Sequence, residues 1–84
     1  MVGQVIAARE NYSRIAYEAD GKYGYLDIIG LASPAVGDTI EGELNCFSRT
    51  FISINGKGRI EVCIGLYELS REEAIKAYEQ QVLR

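Results

Sequence analysis

Apolar and polar residues alternate along most of the chain up to about Gly65, and a helical repeat follows Leu69. Alternation at every second residue is typical of strands that bury one face, whereas a period of about 3.6 is typical of an amphipathic helix. The pattern therefore predicts a mainly β fold, with strands over residues 1–69 and one C-terminal helix over residues 70–84. The chain of 84 residues is short enough that strands and helix form a single domain, with the helix packed on the sheet.

The dipeptide Asp20-Gly21 predicts the first hairpin. Aspartate followed by glycine suits a two-residue turn in which both central residues adopt positive φ, and this turn pairs Ala19 with Lys22. The residues that then face inward are largely apolar, namely Ile15, Tyr17, Leu26 and Ile28. The residues that face outward carry the charges and three tyrosines, namely Tyr12, Arg14, Ala16, Glu18, Tyr23, Tyr25 and Asp27. A slip of one residue would bury Arg14 and Asp27, so the register is well specified.

A second hairpin is predicted around residues 55–59, which have the sequence Asn-Gly-Lys-Gly-Arg. A three-residue loop lets Gly58 supply the left-handed conformation and pairs Ile54 with Ile60. A two-residue Asn-Gly turn is disfavoured, because it would place an inward isoleucine opposite Arg59. The other pairs of the predicted register are Ile52 with Val62, Ser53 with Glu61, and Phe51 with Cys63.

The remaining segments complete the predicted order of elements. Residues 39–46 alternate and predict a further strand, whereas residues 30–38 contain the only proline and predict a loop. Ser70 and Glu73 have the spacing of a capping box, which predicts the start of the helix. The apolar side of that helix, which we expect to dock on the sheet, consists of Ala74, Ile75, Tyr78 and Val82.

Short motifs in the strand-rich part of the chain have counterparts in a known family. Residues 3–5 are Gly-Gln-Val, residues 11–15 are Asn-Tyr-Ser-Arg-Ile, residues 24–28 are Gly-Tyr-Leu-Asp-Ile, and residues 36–38 are Val-Gly-Asp. In this order they resemble segments of the ribosomal S-one type RNA-binding domain, which is an OB-fold family. The resemblance implies a small five-stranded antiparallel OB-like barrel that binds single-stranded RNA or DNA.

Only part of that family's base-stacking surface has a counterpart here. Tyr12 matches one aromatic, whereas Ile15 replaces the second and Asp27 occupies a position where a histidine is typical. The outward tyrosines nevertheless suggest a stacking surface, because aromatic faces hold bases while nearby cations hold phosphates. The candidate residues for binding nucleic acid or a partner are Tyr12, Arg14, Lys22, Tyr23, Tyr25, Arg49 and Phe51, with Lys57 as a further cation.

Each part of this hypothesis has a structural alternative. If the helix lies over Tyr23 and Tyr25, those rings belong to the core. Arg14 opposite Asp27 favours a cross-strand ion pair over a phosphate contact. The same tyrosine-rich face suits a protein interface or self-association, because tyrosines with few lysines are typical of such surfaces. A third hypothesis, an accessory subunit or inhibitor that mimics nucleic acid, depends on the acidic residues Asp38, Glu41 and Glu43.

Composition narrows the chemistry. Nine Lys and Arg against twelve Asp and Glu give a net charge of −3, which excludes a strongly basic protein that coats duplexes. The chain has no histidine, the commonest general base and metal ligand, so we expect a non-enzymatic protein without catalytic residues, metal or cofactor. With no export signal and no run of about 20 apolar residues, Cys46 and Cys63 are predicted to be free thiols of a cytoplasmic protein that does not enter membranes.

Overall fold

The computed structural model describes residues 1–10 and 12–80, which form six strands and one helix. The elements are β1 (Val2–Ala7), β2 (Arg14–Ala19), β3 (Lys22–Ile28), β4 (Thr39–Gly42), β5 (Arg49–Ile54), β6 (Lys57–Ile64) and α1 (Arg71–Glu79). The predicted mainly β fold with one C-terminal helix is confirmed, while Val82 of the predicted helix lies outside the described residues. Within those residues, no helix has the length and apolar character needed to cross a bilayer.

The six strands form one antiparallel sheet that closes on itself, in the order β1-β2-β3-β6-β5-β4, as β4 also pairs with β1. Strands β1–β3 form one meander and β4–β6 form another, and residues 29–38 connect the two. Each strand runs opposite to both neighbours, so the strands alternate in direction around the ring. A fully antiparallel ring needs an even number of strands. The predicted count of five is therefore wrong.

The first hairpin has the predicted register along its whole length. Asp20 and Gly21 form the turn with φ of 53° and 75°, and Ala19 pairs with Lys22. The pairs continue to Arg14 opposite Asp27. The inward side chains of this hairpin join the main core, whose buried members are Val5, Ile15, Tyr17, Ala19, Leu26, Ile28, Ile40, Leu44, Ile52, Val62 and Ile64.

The second hairpin has a different turn from the one predicted. Asn55 and Gly56 adopt φ of 53° and 72° and form a two-residue turn, so that Ile54 pairs with Lys57. The register shifts between Ile52 and Ile54 next to Gly58, whose φ is 43°, and Ile52 then pairs with Ile60. The predicted register is thus wrong by two residues. A shift of two leaves the predicted inward and outward faces unchanged, because side chains alternate with a period of two.

The strand predicted over residues 39–46 ends early, at Gly42, and the chain turns over residues 43–48. Leu44 is still fully buried, as the alternation predicted, because the turn folds its side chain under the end of the sheet. The buried hydroxyl of Tyr17 donates a hydrogen bond to the Leu44 carbonyl. Burial raises the pKa of Tyr17 well above its usual range, so the phenol stays a neutral donor.

Helix α1 begins with the predicted capping box. The Glu73 amide donates to the Ser70 hydroxyl at 3.1 Å, and the Ser70 amide donates to the Glu73 carboxylate at 2.9 Å. From this start the helix lies across the outer face of β2 and β3. Its buried residues, Ala74 and Tyr78, pack on Ala16 in a second small core. The partly buried residues around that core are Ile6, Ala7, Tyr12, Tyr23, Leu69 and Ile75.

Candidate binding surface

Two of the predicted site tyrosines pack against helix α1. Tyr23 and Tyr12 are half-buried beside the core of Ala16 and Tyr78, and the rings of Tyr12 and Tyr78 lie 6.2 Å apart. The other side of Tyr12 carries a cation, since the Arg9 guanidinium lies 5.1 Å from the ring centroid. The expectation that three tyrosine rings remain in water is therefore wrong, because the helix covers the centre of that face.

Arg14 and Tyr25 belong to a tight cluster at the edge of the helix. The Nε and Nη2 atoms of Arg14 donate to the two carboxylate oxygens of Asp27 at 2.8 and 3.2 Å, and Nη1 donates to the Ala77 carbonyl at 3.2 Å. The hydrogen bond with Asp27 raises the pKa of Arg14. The guanidinium lies 4.5 Å from the Tyr25 centroid. The predicted ion pair is confirmed, and Arg14 also fastens the last turn of α1 to the sheet.

Tyr25 has a second close neighbour. A Cβ atom built on Gly65 would lie 2.2 Å from the Tyr25 ring, so the ring occupies the space next to that glycine. The Gly65 amide donates to the Tyr25 carbonyl at 2.9 Å, which holds the two residues side by side. Arg14 and Gly65 therefore both restrict access to the Tyr25 ring, which is only partly exposed.

Lys22 lies away from the other predicted cations, at the turn end of β3. Its Nζ atom is 3.0 Å from the Glu68 carboxylate, and this hydrogen bond raises the pKa of Lys22. Both side chains are more than half exposed, so the pair contributes little to stability. Because Lys22 lies at the turn end of β3, it does not form one surface with Arg49 and Phe51.

The outer side of the β5–β6 hairpin carries two of the remaining predicted residues, Arg49 and Phe51. Phe51 is 48% exposed, and the Arg59 guanidinium lies 5.0 Å from its centroid. Arg49 is exposed on the same side of β5. Glu61 lies directly opposite Phe51 in the ladder. We call these four residues, Arg49, Phe51, Arg59 and Glu61, the basic hairpin face.

Lys57, the further predicted cation, lies on the other side of this hairpin. It pairs with the inward residue Ile54 and lines a cleft together with Asp38. It is therefore not part of the basic hairpin face.

The charge of this face differs from that of the whole protein. The face holds two guanidinium groups and one carboxylate, although the chain has a net charge of −3. The carboxylate is Glu61, whose Oε2 atom lies 3.2 Å from Nη2 of Arg49. The face therefore combines one accessible aromatic ring with two guanidinium groups.

Arg59 and Glu61 were not predicted to lie next to Phe51. The predicted register placed Cys63 opposite Phe51, whereas the bulge next to Gly58 brings Glu61 there and leaves Arg59 over the ring. The available signal was the combination of Asn-Gly with a glycine two residues later, which allows a two-residue turn followed by a bulge. Arg59 could therefore have been found by weighing the turn and the bulge together.

The acidic residues considered for nucleic-acid mimicry have structural roles or are dispersed. The Asp38 carboxylate accepts the Ala35 amide at 2.9 Å, and this hydrogen bond lowers the pKa of Asp38. Glu41 lies on β4, and Glu43 follows it in the turn. Over residues 1–10 and 12–80, no three His, Cys, Asp or Glu side chains come together in a group that could hold a metal ion.

Two further surface regions expose apolar side chains. One is the connection of residues 29–38, where Leu31 and Val36 are exposed beside clefts that residues 8–10 and 12–13 also line. The other is a shallow cleft at the opposite end of the sheet, where Phe47 and Leu66 are 75% and 52% exposed. In the first region Tyr12 also carries a guanidinium, that of Arg9, but the other charged residue that lines the cleft is Glu10, whereas Phe51 has a second arginine on its face.

The geometry of the basic hairpin face allows two kinds of contact. The Phe51 ring can stack on a planar group, and the guanidinium groups of the same face can pair with anions. Both kinds of contact require only side chains that are already at the surface. Comparison of the chain with family models, with curated proteins and with solved structures found no match.

Proposed function

We propose that the chain is a small non-enzymatic binding module of the OB type that binds single-stranded RNA or DNA weakly through the basic hairpin face. The observation that carries the proposal is the exposed Phe51 ring with Arg59 at 5.0 Å and Arg49 on the same side of β5. The OB-like part is supported by the small closed antiparallel sheet and by the order of the family-like segments, although six strands replace five.

A bound strand uses this face in a defined way. A base stacks on Phe51 and takes the place of the Arg59 guanidinium, which then contacts a phosphate. Stacking on an aromatic side chain contributes about 1 to 3 kcal/mol per base, and the phosphate contacts make binding salt-dependent. Since Phe51 is the one ring of the face, the contact is short and binding is weak. A base inside a duplex has no open ring face to offer, so we expect preference for single strands.

The alternative is protein interaction or self-association through the tyrosine-rich face. The structure supports it less, because α1 covers Tyr23 and packs beside Tyr12, while Arg14 and Gly65 both lie against the Tyr25 ring. Tyrosine-rich interfaces depend on rings that a partner can bury. Concentration-dependent sedimentation of the unmodified chain tests self-association directly.

Fluorescence anisotropy of a short fluorescein-labelled oligothymidylate or oligouridylate tests the proposed function. Phe51→Ala should weaken binding by about fivefold to a hundredfold, the equivalent of one lost stacked base. Phe47→Ala is the matched control, because Phe47 is an exposed phenylalanine outside the basic hairpin face. Equal binding by the two variants, or no binding at millimolar protein, would contradict nucleic-acid binding and favour the interaction alternative.

A further inference from the structure

The Arg49–Glu61 pair has the geometry of a contact that a ligand can replace. Its two side chains are 65% and 35% exposed, and a single nitrogen–oxygen contact of 3.2 Å joins them. Exposed pairs of this kind contribute little to stability, because solvent screens them and both side chains lose rotamer freedom. Opening the pair therefore costs the fold little.

The position of Glu61 makes it an obstacle to an anion on this face. It lies opposite Phe51 in the ladder, and its carboxylate forms an ion pair with the guanidinium of Arg49. A phosphate next to a base stacked on Phe51 meets both the negative charge of Glu61 and a neutralised Arg49. The carboxylate thus opposes the ligand that the rest of the face attracts.

We infer that Glu61 is an intrinsic competitor for phosphate, which a bound nucleic-acid strand must displace from Arg49. This inference rests on the proposed function and identifies what limits its affinity. Displacement leaves Arg49 free to pair with the phosphate, which a planar guanidinium does well. Removing the carboxylate should therefore tighten binding.

Arg14–Asp27 is the internal contrast. That pair is bidentate, and Arg14 makes a third hydrogen bond to the Ala77 carbonyl. Replacing Asp27 by a phosphate would leave the end of α1 without this arrangement. The two pairs are both arginine with an acid across neighbouring strands, yet only Arg49–Glu61 is free of such a structural role among the described contacts.

The test compares Glu61→Gln with Glu72→Gln in the labelled-oligothymidylate titration at several KCl concentrations. Both variants remove one negative charge, but Glu72 is an exposed residue of α1. E61Q should lower Kd by about threefold to tenfold, because the phosphate then reaches Arg49 without displacing a carboxylate. The number of phosphate contacts is the same in both proteins, so the slope of log K against log salt should not change. E72Q should change Kd by less than about twofold, because its charge is far from the ligand on the scale of screening.

The Arg49→Gln background tests the competition itself. Adding E61Q to R49Q should tighten binding less than E61Q does in the wild type, since only the repulsion of Glu61 is removed and there is no guanidinium left to release. E61Q binding like E72Q in the wild-type background would overturn the competition, and continued loss in F51A would show that the proposed function still stands. Failure of the wild type and E61Q alike to bind would overturn both. Circular dichroism of each variant verifies that the sheet is intact.

Discussion

The β2–β3 and β5–β6 hairpins occupy equivalent places in their meanders, but the outer face of the first is covered by α1 and that of the second is exposed. On β2–β3 the central outward residue is Ala16, which is fully buried because its small side chain lets Ala74 and Tyr78 of α1 approach. On β5–β6 the corresponding region carries Phe51, which is 48% exposed. An aromatic residue on the outside of a strand thus indicates a binding surface only where no other element packs on it.

The arginine–acid pairs of the two faces show the same contrast. Arg14 and Asp27 lie directly opposite each other and form two hydrogen bonds, whereas Arg49 lies opposite Cys63 and reaches Glu61 diagonally. Arg14 is less exposed than Arg49, at 26% against 65%, whereas the two carboxylate side chains are similarly exposed. A pair of the same chemical type is therefore part of the helix attachment on one hairpin and an exchangeable surface contact on the other.

The largest effect is expected from placing a charge on each face. Ala16→Lys forces an ammonium group and a long side chain under α1, and should lower the free energy of unfolding by about 3 to 5 kcal/mol. Ser53→Lys places the same side chain outward on β5, opposite Glu41, and should change it by less than about 0.5 kcal/mol. Urea denaturation followed by circular dichroism measures both, and equal losses would mean that the two faces are covered alike.

A smaller effect is expected from removing each arginine. Arg14→Gln breaks the bidentate contact with Asp27 and the bond to Ala77, and should lower the free energy of unfolding by about 1 kcal/mol, since the group is partly exposed. Arg49→Gln should cost less than about 0.3 kcal/mol. The same denaturation measurement tests the pair, and a loss in R49Q as large as that in R14Q would contradict the assignment of Arg49–Glu61 as exchangeable.

The smallest expected effect is on the pH dependence of stability, through Glu73 at the start of the helix that covers the β2–β3 hairpin. The Ser70 amide holds the pKa of Glu73 below its usual range, so Glu73 stabilises the folded state fully above the unfolded pKa of about 4.3. That contribution is lost as the pH falls through the lower folded value. Glu73→Gln should therefore lose less stability than the wild type between neutral pH and about pH 3. Asp38, whose pKa is also lowered, is present in both proteins and cancels in the comparison; identical losses would contradict the role of Glu73.

Local turn chemistry and alternation predicted the first hairpin because they agree there. Asp20-Gly21 fixes the turn, and any slip would bury Arg14 and Asp27. In the second hairpin two registers differ by two residues and expose the same faces, so alternation cannot distinguish them. The bulge next to Gly58 determines which register forms, and the register determines which residue lies opposite Phe51.

The position of the helix on the sheet also could not be predicted from the sequence. An amphipathic face predicts that a helix packs somewhere, but every outward strand face is a possible partner. The useful signal was Ala16, a small residue between outward tyrosines, since a helix can approach a sheet closely only where side chains are small. The predicted count of five strands was wrong for a different reason, because a ring in which every strand runs opposite to both neighbours requires an even number.

The closure of the sheet also determines how this protein can be recognised. Every described strand has a hydrogen-bonded neighbour on each side over part of its length, so none of them is an edge strand. Edge strands serve as templates for strand addition by peptides and for aggregation. Strand addition is consequently disfavoured here, so recognition depends mainly on side chains, and the exposed Phe51 does not lie beside an open edge of the sheet.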